Sequence, residues 1–144
     1  MIDDIFDGPA PHILSLLNER TSVIAYRPEL NTITGDWVST ILLQRVMDHW
    51  FGGAGRRPFY KFIAPPKKFH PSYRQGDSWA EELGLTRWQV AHALKPIATK
   101  ITARTSRAKA LADSLVVYWT SSNLTYFELN EALLLEKLRG RYVV

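Results

Sequence analysis

Apolar residues recur at helical spacing over residues 36–51. Val38, Ile41, Leu42, Leu43, Val46, Met47 and Trp50 form a broad stripe, Asp36 stands where a helix cap belongs, and Gly52 and Gly53 follow the last apolar position. A second helical pattern, with Trp79, Leu83, Leu85, Val90, Ala93, Leu94 and Ile97 on its apolar side, is interrupted at Gly84. Ser78 with Glu81, and Thr86 with Gln89, have the spacing of two capping boxes, and glycine is the residue that ends a helix in a left-handed conformation without steric cost. The stretch from Asp77 to Ile101 therefore predicts a helix, a tight turn and a second helix. Pro96 predicts a kink in the second helix, or its end near Leu94.

The rest of the chain reads as strands, loops and one more helix. Arg57–Ile63 is aromatic and alternating, a strand pattern. Leu115–Trp119 and Leu124–Leu129 are strand runs on either side of a four-residue polar turn, Thr120–Asn123, which predicts a hairpin. Asn130 is placed to cap a final helix over residues 131–139, with Gly140 beyond its end. Its Leu133, Leu134, Leu135 and Leu138 exceed one narrow stripe, so the surplus completes the core or buries a dimer partner. Between these elements, Ala64–Gly76 is a loop, because Pro65, Pro66 and Pro71 bar regular structure. Thr99–Asp113 is a long connection within which Ser106–Ala112 suits a helical turn. Ahead of residue 35 the signals are weaker: a loose arm over residues 1–9, a short helix over residues 11–19 with Ile13, Leu14, Leu16 and Leu17 apolar, an extended run at Ser22–Tyr26, and a turn or frayed helical piece at Asn31–Thr34. The expected fold is α+β and mostly helical. It has a three-helix core, a short strand and a β-hairpin over residues 35–144 with a C-terminal helix, and an N-terminal extension over residues 1–34 that packs on the core.

Charge adds direction to this outline. Across 144 residues the net charge is +4, unevenly spread. Up to Gly55, three basic residues (Arg20, Arg27, Arg45) stand against seven acids. Residues 56–76 hold Arg56, Arg57, Lys61, Lys67, Lys68 and Arg74 and no acid; residues 86–112 hold Arg87, Lys95, Lys100, Arg104, Arg107 and Lys109 and no acid. Two acid-free blocks on either side of a helix-turn-helix suggest a face suited to a polyanion.

Here a resemblance enters. The string A-E-E-L-G-L-T-R-x-x-V-x-x-A-L, from Ala80 to Leu94, resembles the helix-turn-helix of winged-helix DNA-binding proteins of phages, plasmids and mobile elements, including the N-terminal domains of DnaD-like and plasmid replication initiators. The resemblance implies a winged helix-turn-helix in which the helix after Thr86 enters the major groove of double-stranded DNA and the hairpin is the wing. The function it implies is transcription regulation or accessory work in DNA replication for a phage- or plasmid-like element. Many initiators continue past the winged helix, so a chain ending at Val144 is expected to lack a second functional domain or to be a piece of a longer protein.

The candidate DNA contacts follow from residue chemistry. The fork of Arg87 matches guanine O6 and N7, and Gln89 suits adenine unless the capping box occupies it. His92 and Lys95 lie one and two turns on, toward phosphate or an outer base. The Thr86 backbone N–H can meet a phosphate at the helix N-terminus. Trp88 either contacts DNA or packs as a core or rim residue on the wing. Arg104, Arg107 and Lys109 would add non-specific attraction, Ser121, Ser122 and Asn123 form the wing tip, and Lys67, Lys68 and Arg74 are candidate backbone contacts. The loop aromatics Phe69 and Tyr73 either stack on bases or tuck inward.

Two other readings stand beside this one. In the first, the chain is a protein–protein interaction module that uses a winged-helix scaffold in a larger nucleoprotein assembly. In the second, it handles single strands without sequence selection. A homodimer through the C-terminal helix or the N-terminal extension is the other expected partner. Catalytic patterns are weak. His12, His49, His70 and His92 stand far apart with no helix-spaced ligand pair, so no metal is expected. There is no G-x-x-x-x-G-K loop and no G-x-S-x-G elbow. Glu81 and Glu82 are adjacent and do not face each other, and Asp113, Glu128 and Lys137 are too loosely spaced to suggest a nuclease. Neither an enzyme nor a cofactor is expected. No apolar run approaches 18 residues, so no membrane span is expected. The acidic N-terminus and the absence of cysteine fit a cytoplasmic protein.

Overall fold

The computed structural model describes residues 13–16 and 24–142, and these form an α+β fold around one mixed four-stranded sheet. A 3-10 turn, Pro28–Leu30, leads into α1 (Asn31–Thr34) and α2 (Trp37–Phe51). Strand β1 (Phe59–Tyr60) follows, then α3 (Trp79–Leu83), α4 (Arg87–Leu94) and β2 (Ala98–Lys100). Helix α5 (Arg107–Asp113), the hairpin β3 (Val116–Ser121) and β4 (Leu124–Leu129), and α6 (Glu131–Tyr142) complete the chain. The expected arm at residues 1–9 lies outside the described residues. Of the expected helix at 11–19, residues 13–16 are described; they are helical, with Ile13, Leu14 and Leu16 exposed. Of the expected extended run at Ser22–Tyr26, residues 24–26 are described, and they belong to no helix and pair in no sheet. Buried Gln44 of α2 serves that segment instead, accepting from the Arg27 N–H at 2.8 Å and donating to the Ala25 carbonyl at 2.6 Å.

The sheet order is β1-β4-β3-β2. β1 and β3 flank β4 antiparallel, whereas β2 lies parallel to β3. Parallel neighbours need a crossover, and α5 supplies it. Helix, strand, helix, helix, hairpin is an order compatible with a winged helix, with β2 and α5 inserted between the second helix of the motif and the hairpin. The hairpin is tighter than the four-residue turn expected. β3 runs on to Ser121, and only Ser122 and Asn123 turn, both at positive φ (51° and 62°), as a two-residue hairpin loop requires. β1 is shorter than expected. Lys61 N–H still donates to the Thr125 carbonyl of β4 at 3.0 Å, and the chain then turns away, Phe62 bridging to Ser78 at the start of α3.

Alternation gives the sheet two unlike faces. Phe59, Val116, Phe127 and Leu129 point into the core with Leu42, Val46 and Trp50 of α2, Trp79 of α3, Val90 and Leu94 of α4, and Leu134 of α6. Trp79 is fully buried and meets Phe127 edge-on at 5.6 Å between centroids. The opposite face carries Tyr60, Tyr126, Trp119 and Val117, and α5 lies over part of it. α6 passes the expected stop at Gly140 and continues to Tyr142. Its cap is Asn130, whose Oδ1 accepts from Leu133 N–H while its amide donates to the carbonyls of Leu111 and Ser114. Among the described residues no helix is long and apolar enough to cross a membrane.

Candidate nucleic-acid interface

The helix-turn-helix is assembled by local hydrogen bonds. Ser78 Oγ accepts from Glu81 N–H at 3.1 Å and caps α3. The reciprocal half of that expected capping box is absent. The Glu81 carboxylate turns to the preceding loop, accepting from Tyr73 Oη at 2.7 Å, Gly76 N–H at 2.8 Å and Ser78 Oγ at 2.8 Å. Burial works to raise the Glu81 pKa, but these hydrogen bonds hold it below its ordinary value, and the carboxylate in turn raises that of Tyr73. Gly84 ends α3 at φ 68°. The second box is complete: Gln89 N–H donates to Thr86 Oγ1 at 3.1 Å, and Thr86 N–H donates to Gln89 Oε1 at 2.9 Å.

That completed box revises two expected contacts. The Thr86 N–H is already donated and is not free for a phosphate. The Gln89 amide is held along the helix terminus, so a bidentate adenine contact would require opening the box. α4 ends at Leu94, before Pro96, so the helix stops early and does not kink. Ser39 of α2 donates to the Ala93 carbonyl at 2.7 Å and holds that end.

The outward face of α4 carries Arg87, Trp88, Gln89, Ala91 and His92, with Lys95 just past the end, all exposed. Trp88 is 70% exposed and stacks on His92, with centroids 5.1 Å apart and planes 13° apart. It does not pack on the hairpin. It borders a shallow apolar pocket of about 310 Å³ lined by Val38, Leu85, His92 and the rim residue Asp36. Arg87 donates to the Pro65 carbonyl at 3.2 Å, which ties the loop bearing Lys67 and Lys68 to the start of α4. Within that loop Tyr73 is tucked against Phe62, whereas Phe69 is 94% exposed. Arg74 bonds to the carbonyls of Pro71 and Tyr73.

On the other side of α4, a cleft of about 360 Å³ separates it from the sheet. Lys95 and Lys100 line it, with Tyr118, Thr120 and Thr125 on the strands. Tyr118 and Thr125 were not singled out by the sequence, and Lys100 and Thr120 stood out there only as a member of the second basic block and as a turn residue. Strand alternation from Val116 carries the signal, since it puts Tyr118 and Thr120 on the helix side of β3. Burial raises the pKa of the Tyr118 hydroxyl and keeps it neutral.

The fold separates residues that the basic blocks join. Arg56 pairs with Glu131, Lys61 with Glu82, and Arg107 with Glu128. The Arg107 guanidinium also lies 5.8 Å over the Trp119 ring, on the sheet face turned away from α4. Arg107 and Lys109 therefore belong to the opposite side of the sheet, and Arg104 stands exposed in the loop leading there. Lys67, Lys68, Lys95 and Lys100 make no ion pair among the described residues. Ser121, Ser122 and Asn123 are exposed at the hairpin tip. No group of three or more His, Asp or Glu side chains suited to a metal ion occurs among the described residues.

No protein-family model, no curated protein and no solved structure matches this chain.

Proposed function

We propose that the chain is a winged-helix protein that binds double-stranded DNA through α4, acting as a regulator or replication accessory factor of a phage- or plasmid-like element. The observation that carries this reading is the placement of four lysines that make no ion pair among the described residues. Lys67 and Lys68 flank the start of α4 through the Arg87–Pro65 contact, and Lys95 and Lys100 flank its end in the cleft beside the hairpin. A helix lying in the major groove places phosphates on both of its sides, so this pattern is complementary to a duplex. Arg87 leaves a single carbonyl contact to reach guanine O6 and N7, and the lysines meet the backbone.

The test is a fluorescence-anisotropy titration with duplex DNA at two salt concentrations. Arg87→Ala is expected to cost about 1–3 kcal/mol on a preferred sequence and to flatten base preference. Tight duplex binding with no effect of Arg87→Ala would refute α4 as the reading helix. Absence of duplex binding at low salt would refute the function.

One observation favours the second reading, a protein-interaction module on the same scaffold. Trp88, 70% exposed beside an apolar pocket, is an aromatic anchor of the kind found in protein interfaces. Salt-insensitive association with a protein, lost in Trp88→Ala, distinguishes it from DNA binding.

A further inference from the structure

The sheet face away from α4 carries a row of aromatic rings. Tyr60 stands directly opposite Tyr126 across β1 and β4, and Tyr126 directly opposite Trp119 across β4 and β3. Their centroids are 6.3 Å and 6.0 Å apart, and Phe62 extends the row 6.5 Å beyond Tyr60. α5 covers the half of this face beyond Trp119, where Ala110 is buried and Thr99 hydrogen-bonds Ser114, and its Arg107 reaches over the Trp119 ring, so Tyr126 and Tyr60 are the part of the row that α5 leaves open. Tyr60 is left 41% exposed on a two-residue edge strand.

Cross-strand aromatic pairs do stabilise sheets. Charge gives this row a further character. Glu128 is the one acid among the strand residues, and Arg107 pairs with it from above Trp119. At the other end of the row, exposed Arg57 precedes β1, and the loop with Lys67, Lys68 and exposed Phe69 is seated on Phe62 through His70, 5.1 Å between centroids. Flat rings accept any base, and the surrounding cations suit the phosphates that connect the bases.

We propose that this row, Trp119–Tyr126–Tyr60, is a stacking platform for the unpaired bases of a single-stranded nucleic acid. It does not rest on α4 reading duplex DNA. The complementarity is to a strand that offers both π-faces and negative charge, which an apolar protein partner does not.

The experiment uses the full chain and a labelled oligothymidylate of roughly 12 nucleotides, within the ~4–16-nucleotide range of such platforms. An oligouridylate of the same length forms a second arm, and a duplex a third. Tyr60→Leu and Trp119→Leu keep apolar bulk but remove the ring face; Tyr60→Phe keeps the ring. Each leucine variant should weaken single-strand binding roughly tenfold, with Tyr60→Phe near the parent and duplex affinity unchanged. The two single-strand arms show whether DNA or RNA is preferred. Thermal melting of each variant monitors the fold; if Trp119→Leu unfolds, the Tyr60→Leu and Tyr60→Phe pair decides alone. Single-strand binding equal in the leucine and phenylalanine variants overturns the proposal. So does binding lost only in Arg87→Ala, or no single-strand binding at low salt, the outcome a protein-docking face would give.

Discussion

Glu82 fixes the angle at which the helix-turn-helix leaves the rest of the molecule, and replacing it tests that role. Its carboxylate lies 2.9 Å from His49 Nε2 and 3.3 Å from Arg45 Nε on α2, and 3.3 Å from Lys61 Nζ after β1. Burial alone would raise its pKa, but the His49 and Arg45 hydrogen bonds and the Lys61 charge hold it at about 2, against an ordinary 4.5. At about 1.36 kcal/mol per pH unit, that gap sets an upper limit of about 3 kcal/mol. Solvent screening at a carboxylate still in contact with water reduces it to about 1–2 kcal/mol. Because the folded pKa lies below the unfolded one, this stability is fully present above pH 4.5 and is lost as pH falls toward 2. Glu82→Gln removes it at neutral pH and takes from Lys61, 7% exposed, its ion-pair partner, leaving the amide oxygen, the more distant Glu81 charge and the cation–π contact to Trp79 at 5.2 Å. Breaking a buried pair from one side costs about 3–5 kcal/mol, so with that contact retained about 2–4 kcal/mol is expected. In a chain of this size that is a fall of roughly 5–15 °C in Tm. Urea titrations at pH 7 and pH 3 give both quantities: Glu82→Gln should lose stability at pH 7 and show a shallower decline toward pH 3. Adding Lys61→Met should recover part of the loss, since the stranded charge is then gone. Equal stability of Glu82→Gln and parent at pH 7, or no recovery in the double variant, would refute this account of the cluster.

The remaining predictions concern the end of the chain, the turn and the two sides of the sheet. Asn130→Ala loses the α6 cap and the bonds to Leu111 and Ser114, and should cost about 2–3 kcal/mol by urea denaturation, with Asn130→Ser recovering about 1 kcal/mol through the cap alone. Gly84→Ala places a side chain at φ 68° with no neighbour within 4 Å, so only the backbone penalty of about 1–2 kcal/mol should appear in a thermal melt. Lys100→Ala should reduce the steepness of log K against log salt for duplex binding by roughly 0.9, whereas Lys109→Ala, on α5 behind the sheet, should leave it unchanged.

The parts of this fold that were legible in the sequence are those written in local chemistry. The Asp36, Thr86 and Asn130 caps, Gly84 and the Pro96 stop each act within four residues, and each lies where residue type placed it. β2 was not legible because Ala98–Lys100 is too short to alternate and draws its order from β3, a partner beyond α5. The end of β1 depended on Ser78 taking the chain from β4 after Lys61. The candidate interface was half legible. The exposed face of α4 follows from helical spacing, but its charge does not, because Arg56, Lys61 and Arg107 find their acids 75, 21 and 21 residues away. The basic blocks therefore overstate the free positive charge and misplace part of it.

That redistribution explains how one short helix can present so much of itself. α4 buries only Val90, Ala93 and Leu94, too little apolar surface to hold its orientation by hydrophobic contact alone. Polar links do the rest: Ser39 to the Ala93 carbonyl from α2, the Thr86–Gln89 box at the start, and Arg87 to Pro65. Upstream, Glu82 ties α3 to α2 and Lys61, and Glu81 ties it to the loop. Each link engages a backbone end or a charge that folding would otherwise leave unsatisfied, and none uses the outer side chains of Trp88, Ala91 or His92. The carboxylates of this motif are thus employed inward as fasteners. Among the described residues Lys67, Lys68, Lys95 and Lys100 make no ion pair, and that placement around the exposed helix is what the proposed binding of a polyanion rests on.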